Sequence, residues 1–321
     1  MRSWRALTGG PSVRDADRPT MLAVSGGADS SALAFALAGT PGVHAIGHVV
    51  HDLRPAREAE ADRDVVERLG TRVGLPVRVA RVRVGPGNAE AGARRVRYDA
   101  LAGLAIEAGC RYVAVAHHAG DVLETMLANL VRGAGPRGLR GPAPRRGVGR
   151  GVTVVRPMLR VTRANAEAIC AAHDWAWVHD TTNDDSGDED ARLRAALRAR
   201  VLPVLEDLRP GAATRAARAA EAIGQAVRVV DAAIEDAWDQ GVREADGEVV
   251  IDSSAFAACV PAVREGLLRR AIDSLGGTGH DRLSAATTRS LAGWVVGGRG
   301  TRTVAGLRLT HRGADVAVSR A

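Results

Sequence analysis

The sequence predicts an α/β fold: a parallel sheet with helices on both faces, then a long helix and a small α/β module. Two observations carry most of that expectation. Through residue 155, short β-rich runs alternate with longer amphipathic stretches, the pattern of strands joined by helical crossovers. A glycine pair, Gly26-Gly27, falls directly between the first of those runs and the first helix. Length agrees, since 321 residues is long for one domain and comfortable for two.

The elements follow in order. Met21-Leu22-Ala23-Val24 is the first expected strand, and Asp29 to Ala38 the first helix. Val43 to Val50 follows as a strand, a charged helix spans about Glu58 to Val73, and Val77 to Val84 is a third strand. A helix over Glu90 to Ala108 leads to a fourth strand, Tyr112 to Ala116, and a helix over Asp121 to Arg132 precedes a fifth, Val152 to Val155. Gly133 to Gly151 is rich in Gly, Pro and Arg without apolar periodicity, so a mobile basic loop is expected there. Gly187 to Asp190 reads as an acidic turn, and a helix from about Ala191 to Leu205 is stopped by Pro210-Gly211. Thr214 to Val242 reads as one Ala-rich helix. From Glu248 onward we expect a strand at Val249-Val250-Ile251, helices near Val263 to Ser274 and Ser284 to Val296, and a hairpin of Arg302 to Leu309 with Ala314 to Val318.

Composition bounds the function. Hydrophobic residues make up 46% and charged residues 25%, which is globular, but aromatics are only 3%. The core is therefore expected to be built mainly from Ala, Val and Leu, and stacking of bases on aromatic rings is excluded as the main way of holding RNA. The net charge is +7, and all 44 cationic residues are Arg. Guanidinium groups bind phosphate in a bidentate fork, which suits a polyanionic partner. A basic surface with no nucleic-acid ligand is the alternative that charge alone leaves open. The three cysteines lie far apart with no C-x-x-C pair, which argues for reduced thiols and against a zinc ribbon or disulfide scaffold. Met1 to Thr20 has no apolar core, so a short, loose lead-in to a cytoplasmic protein is expected, with no membrane partner.

The most informative stretch is Leu22-Ala23-Val24-Ser25-Gly26-Gly27-Ala28-Asp29-Ser30-Ser31. A strand runs into two glycines and straight into a helix. The glycines allow a tight turn and close approach of backbone N–H groups to a ligand. The helix start adds unpaired amides and a positive dipole end for an anion. Ser25, Ser30 and Ser31 offer hydroxyls, and Asp29 a carboxylate for a Mg²⁺ carried by a pyrophosphate. The alternative is a plain turn with Asp29 capping the helix. The Lys of a Walker A loop is missing.

This S-G-G-x-D-S run resembles the PP-loop of N-type ATP pyrophosphatases, which split ATP between its α- and β-phosphates. Further motifs resemble one member of that class, the tRNA(Ile)-lysidine synthetase family. They are His48-Val49-Val50-His51-Asp52-Leu53-Arg54-Pro55, then Gly87-Asn88-Ala89-Glu90 with Arg94, Arg97 and Tyr98, then His117-His118-Ala119-Gly120-Asp121-Val122-Leu123-Glu124-Thr125. Arg132-Gly133-Ala134-Gly135, Arg156-Pro157-Met158-Leu159, Asp180-Thr181-Thr182-Asn183, and Arg194 with Arg198 continue it, so the resemblance covers roughly residues 20 to 210. The chain departs from the family pattern at Gly120 and Val122, which replace Asp and Gln, at Asp52, which replaces Gly, and at Ala195 and Ala196.

The resemblance implies a PP-loop ATP pyrophosphatase domain, of the adenine nucleotide alpha hydrolase-like fold, over residues 1–210. A helical linker (211–247) and a small tRNA-binding domain (248–321) would follow. It implies ATP and Mg²⁺ as cofactors and CAU-anticodon isoleucine tRNA and free L-lysine as substrates, and leaves a homodimer open. Asp29, Asp121, Glu124 and His117 would be catalytic, with Asp29 and Asp121 holding the metal. Ser25, Gly26, Gly27, Ala28, Asp29, Ser30, Ser31, His118 and Arg94 would bind the nucleotide, and His51, Arg54, Arg97, Arg194 and Arg198 the RNA or lysine. Each has a structural alternative: packed histidines at a strand end, acids favouring a helix N-terminus, and solvated arginines. A thiolase would be expected to carry C-x-x-C pairs, which are missing here; a basic RNA-binding protein with a relic nucleotide site is the non-enzyme alternative.

Overall fold

A computed structural model describes residues 1–52, 56–83, 90–178, 189–245, 247–275, 283–304 and 306–321. The expected sites at Arg54, Gly87 to Ala89 and Asp180 to Asn183 lie outside these residues. Two compact units emerge, one of Met1–Ala134 with Gly138–Glu221, the other of Gly135–Arg137 with Ala222–Ala321.

The N-terminal stretch is not a loose lead-in. Helix α1 (Arg2–Leu7) packs Trp4 out of solvent, and the Trp4 indole N–H donates to Thr20 Oγ1 at 3.1 Å. Arg18 is also fully buried, where its guanidinium donates to the carbonyls of Arg5, Gly10 and Val13 at 2.7, 2.5 and 2.6 Å. A buried charge with so many carbonyl acceptors organises the segment around itself.

The first unit continues with β1 (Thr20–Ala23), α2 (Ala28–Leu37), β2 (Val43–His51), α3 (Ala56–Val73), β3 (Val77–Val82), α4 (Glu90–Glu107), β4 (Tyr112–Ala114) and α5 (Ala119–Val131). A helical turn, α6 (Pro136–Leu139), whose first two residues group with the second unit, precedes β5 (Arg145–Gly147), β6 (Thr153–Val155) and α7 (Arg163–Ala172). Then come α8 (Glu189–Ala196), a π-helical turn over Leu197–Val201, and α9 (Leu202–Leu208). The six-stranded sheet runs β3-β2-β1-β4-β6-β5, with only β5 antiparallel. Side-chain alternation splits its core. Leu22, Ile46, Ala114 and Val155 pack with α2, α3 and α7 on one face; Met21, Ala45, Val113 and Val154 pack with α4 on the other.

Two expectations need correction here. The basic stretch 133–151 is not wholly irregular, because Arg145–Gly147 pairs with the free edge of β6. Helix α7 was not expected at all; Thr162 caps it by accepting the Asn165 N–H at 3.1 Å.

Helix α10 (Ala212–Gly241) contains the division between the units. In the second unit, β7 (Val242–Ala245) and β8 (Glu248–Asp252) precede α11 (Ser253–Ala258), α12 (Pro261–Ser274) and α13 (Ala285–Gly297). Strands β9 (Thr301–Val304), β10 (Leu307–Arg312) and β11 (Asp315–Arg320) complete an antiparallel sheet of order β7-β8-β11-β10-β9. The run Arg302 to Leu309, expected as one strand, is thus two. Trp238, Phe256, Leu267, Leu268 and Val295 fill this unit's core.

Candidate active site

In a sheet of this order the chain winds outward from β1 through β2 to β3, then returns by α4 to place β4 on the other side of β1. Such a switch point opens a crevice at the strands' carboxyl ends, where ligands of open α/β sheets bind. The glycine turn after β1 and the two histidines after β4 both end there.

Gly26 has φ +96°, a left-handed conformation that favours glycine, and its carbonyl accepts the Val178 N–H at 3.1 Å. The Ser25 N–H donates to Ser30 Oγ at 3.2 Å, and Ser30 Oγ donates to the Gly27 carbonyl at 3.0 Å, so the turn is tied to the first turn of α2. Gly27 caps α2 without a side-chain acceptor, which leaves first-turn amides for an anion. Ser25, Gly27, Asp29 and Ser30 line the crevice, whereas Ser31 is fully buried and does not. Behind the turn, His48 Nδ1 donates to the Val24 carbonyl at 2.8 Å, and burial pushes its pKa down. His48 thus ties β2 to the strand end.

Asp29 Oδ2 accepts from Arg163 Nη1 at 2.5 Å, with His118 Nε2 at 3.8 Å. Its other oxygen, Oδ1, is buried without a hydrogen-bond partner. Burial lifts the Asp29 carboxyl above the usual carboxylate range, against the pull of His118 and Arg163. No cluster of three or more metal-ligating side chains occurs among the described residues. An orphaned carboxylate oxygen with few other ligands fits Mg²⁺, which keeps its waters and takes one or two carboxylates plus substrate phosphates.

His118 and Asp121 cap α5 reciprocally. The His118 N–H donates to Asp121 Oδ2 at 2.7 Å, and the Gly120 N–H donates to His118 Nδ1 at 2.9 Å. Helix capping therefore accounts for one Asp121 oxygen. His117 is held differently: Arg156 Nε donates to its Nδ1 at 3.3 Å. Burial, then Arg156, Arg94 and Arg97, push the His117 pKa down to about 3.

Glu124 is buried one turn further along α5. It accepts from Arg194 Nη1 at 2.9 Å and from Arg198 Nε at 2.5 Å, so α8 and the π-helical turn are pinned to α5 by one carboxylate. Two adjoining clefts result. One, of about 340 Å³, holds Asp29, Ser30 and the glycine turn. The other, of about 580 Å³, is basic, with Arg94, Arg97, Arg146, Arg156, Arg194 and Arg198 around Glu124. His51, Arg97, His117 and Asp121 line both. The guanidinium carbons of Arg94 and Arg97 sit 5.7 and 5.9 Å from the centre of the Tyr98 ring.

Both departures in α5 have physical readings. Val122 is buried against Ala119, Ala217 and Ala220, and lines neither cleft. At Gly120 a Cβ would stand 2.6 Å from His118 Cε1, so the missing side chain is what lets that imidazole fold back onto the helix. Arg163, which contacts Asp29 from 134 residues away, was missed by sequence reasoning and carries no local signal. Arg156 and Tyr98 were visible in their motifs but without an assigned task.

The comparisons agree with this geometry. A model of the PP-loop domain matches residues 8–205. The tRNA(Ile)-lysidine synthase of Methylobacterium nodulans is 36% identical over 314 residues, covering 93% of this chain and 89% of that protein. That of Salinispora arenicola is 37% identical, covering 98% and 93%. That of Bordetella parapertussis is 41% identical over 219 residues, 65% of this chain, which spans 62% of the relative's length. A U34-tRNA thiolase from Methanococcus maripaludis has the same fold, with a TM-score of 0.54 at 15% identity over 69% of this chain and 76% of that one. With motif, sheet order and relatives in agreement, the chain belongs to the PP-loop domain family and, within it, to the tRNA(Ile)-lysidine synthases.

Proposed function

We propose that this chain ligates lysine to the wobble cytidine of CAU-anticodon isoleucine tRNA, after ATP adenylates that base. The observation that carries the reading is the adjoining pair of clefts. One presents free amides and an unpartnered Asp29 oxygen, the other a ring of guanidinium groups, and they share His117 and Asp121.

In the first step the cytidine O2 attacks the α-phosphorus and pyrophosphate leaves. Phosphoryl chemistry of this kind needs alignment and charge neutralisation rather than covalent help. The amides of the turn and the hydroxyls of Ser25 and Ser30 hold the pyrophosphate, with His117 and His118 beside the α-phosphate. Asp29 and Asp121 are the residues that would hold Mg²⁺, which neutralises phosphate charge when bound. In the second step the lysine ammonium gives up a proton to Asp121 or Glu124. Its amine then bonds to C2 while the C2–O bond to AMP breaks. Arg94, Arg97, Arg194 and Arg198 hold AMP and RNA phosphates on the basic side. We assign this chemistry to residues 1–210 and the grip on the tRNA body to residues 248–321, joined by the segment 211–247, which is helical through Gly241 and then forms β7.

The test uses the purified chain with ATP, Mg²⁺, labelled lysine and the CAU-anticodon tRNA. Lysine enters the RNA, and Asp29→Ala and Asp121→Ala each abolish incorporation while keeping a native circular-dichroism spectrum. RNA binding without pyrophosphate release would leave only a nucleic-acid-binding relative.

A further inference from the structure

His117 and His118 stand at the junction of β4 and α5, and each has its Nδ1 occupied by a group that can only donate. For His117 that group is the Arg156 guanidinium, at 3.3 Å. A guanidinium has five N–H donors and no acceptor, so His117 Nδ1 must present its lone pair and the ring proton must sit on Nε2. The tautomer follows from the identity of the partner.

Arg156 has little freedom to release the ring. It is 3% exposed, and its other two nitrogens donate to the Ala143 carbonyl at 2.5 Å and to Tyr98 Oη at 3.2 Å. Three elements thus hold one planar group: the segment before β5, helix α4, and the β4–α5 junction. The charged and titratable groups bearing on His117 are Arg156 after β6, Arg94 and Arg97 on α4, and its neighbour His118. Three of the four are permanent cations, so a second proton on the ring is opposed by geometry and by charge.

We propose that Arg156 is a positioning residue that fixes His117 as a neutral Nε2–H hydrogen-bond donor to the α-phosphate of the bound nucleotide. This rests on the adenylation reading above. With Nδ1 occupied and Nε2 already protonated, His117 neither takes nor gives a proton in the reaction. It stabilises charge building on the α-phosphoryl oxygens, as a preorganised donor does.

The test has two parts. In ¹⁵N-histidine-labelled protein, without tRNA or lysine, the His117 ring is assigned by comparison with His117→Ala. Its Nδ1 resonates as an unprotonated nitrogen and its Nε2 as a protonated one, unchanged from about pH 8 to about pH 5.5. In Arg156→Ala the ring populates both tautomers and titrates within that range. In pyrophosphate-release kinetics, Arg156→Ala lowers kcat about 10- to 100-fold and changes the KM for ATP less than about threefold. Combining it with His117→Ala gives no further loss, and His117→Gln, which keeps an N–H donor, retains more activity than His117→Ala. A wild-type ring that titrates in this range, or that carries its proton on Nδ1, overturns the proposal even if Arg156→Ala does not fold. Multiplying losses in the double variant overturn it as well. A fixed Nε2–H ring in a protein that never forms AMP would instead overturn the adenylation reading.

Discussion

Glu124→Gln keeps the shape of the side chain and deletes its charge from a network whose geometry sets the cost. The carboxylate is 4% exposed, whereas Arg194 is 19% and Arg198 52% exposed. Removing one partner of a buried pair costs ~3–5 kcal/mol, while a solvent-exposed pair is worth ~0–1 kcal/mol. Arg198 regains water when its partner is neutralised, despite its 2.5 Å contact. The loss therefore concentrates on Arg194, and about 2–3 kcal/mol is expected for Glu124→Gln. Urea unfolding reads this as a lower midpoint at unchanged slope. Double-mutant cycles divide it, with a coupling of about 1–2 kcal/mol to Arg194→Gln and under about 1 kcal/mol to Arg198→Gln. Additive single substitutions, or a larger coupling to Arg198, would refute the reasoning from burial.

Other perturbations follow from the same structure. Gly120→Asp, which restores the family residue, forces the His118 ring off the Gly120 amide and loses a cap worth ~1 kcal/mol; calorimetry should find a lower Tm, and an unchanged or higher one contradicts the pinned ring. Arg18→Met strips the donors from three carbonyls, so limited proteolysis with mass spectrometry should find cleavage within residues 1–17 before the sheet opens; equal protease resistance contradicts this. Acid stability should fall because His117 is held at about 3 when folded but returns to about 6.5 when unfolded. Between those values the unfolded chain binds more protons, so stability drops as pH falls, by up to about 2 kcal/mol at pH 5 from His117. His48, also shifted down, adds in the same direction. Urea midpoints that stay flat from pH 7 to pH 5 would contradict it.

Much of the sheet was legible because Leu22, Ile46, Val113 and Val154 sit in runs whose length and spacing allow little but buried parallel strands. The glycine turn was legible for a related reason, since two glycines between a strand and a helix constrain the backbone locally. Helix α7 was within reach, because Thr162 with Asn165 three residues on is a capping pattern ahead of an Ala-rich run. The order of the N-terminal segment was not. It depends on Trp4 and Arg18 finding partners in three dimensions, and an arginine in a charged stretch reads as solvated. The β5 strand, Arg145–Gly147, has no β-forming residue and exists because β6 offers an open edge. In the site, the spacing of Arg194 and Arg198 put both on one helical face, but their shared partner Glu124 lies 70 and 74 residues away in sequence. Arg163 at Asp29 is the same kind of contact, invisible until the chain folds.

Adenylation of the base is tested most directly by following the α-phosphate of ATP before any lysine is present. With α-labelled ATP, Mg²⁺ and the CAU-anticodon tRNA, the label should move onto the RNA with one pyrophosphate released per label, and added lysine should discharge it as AMP. Label that never reaches the RNA, or ATP cleaved to ADP and phosphate, would contradict the mechanism.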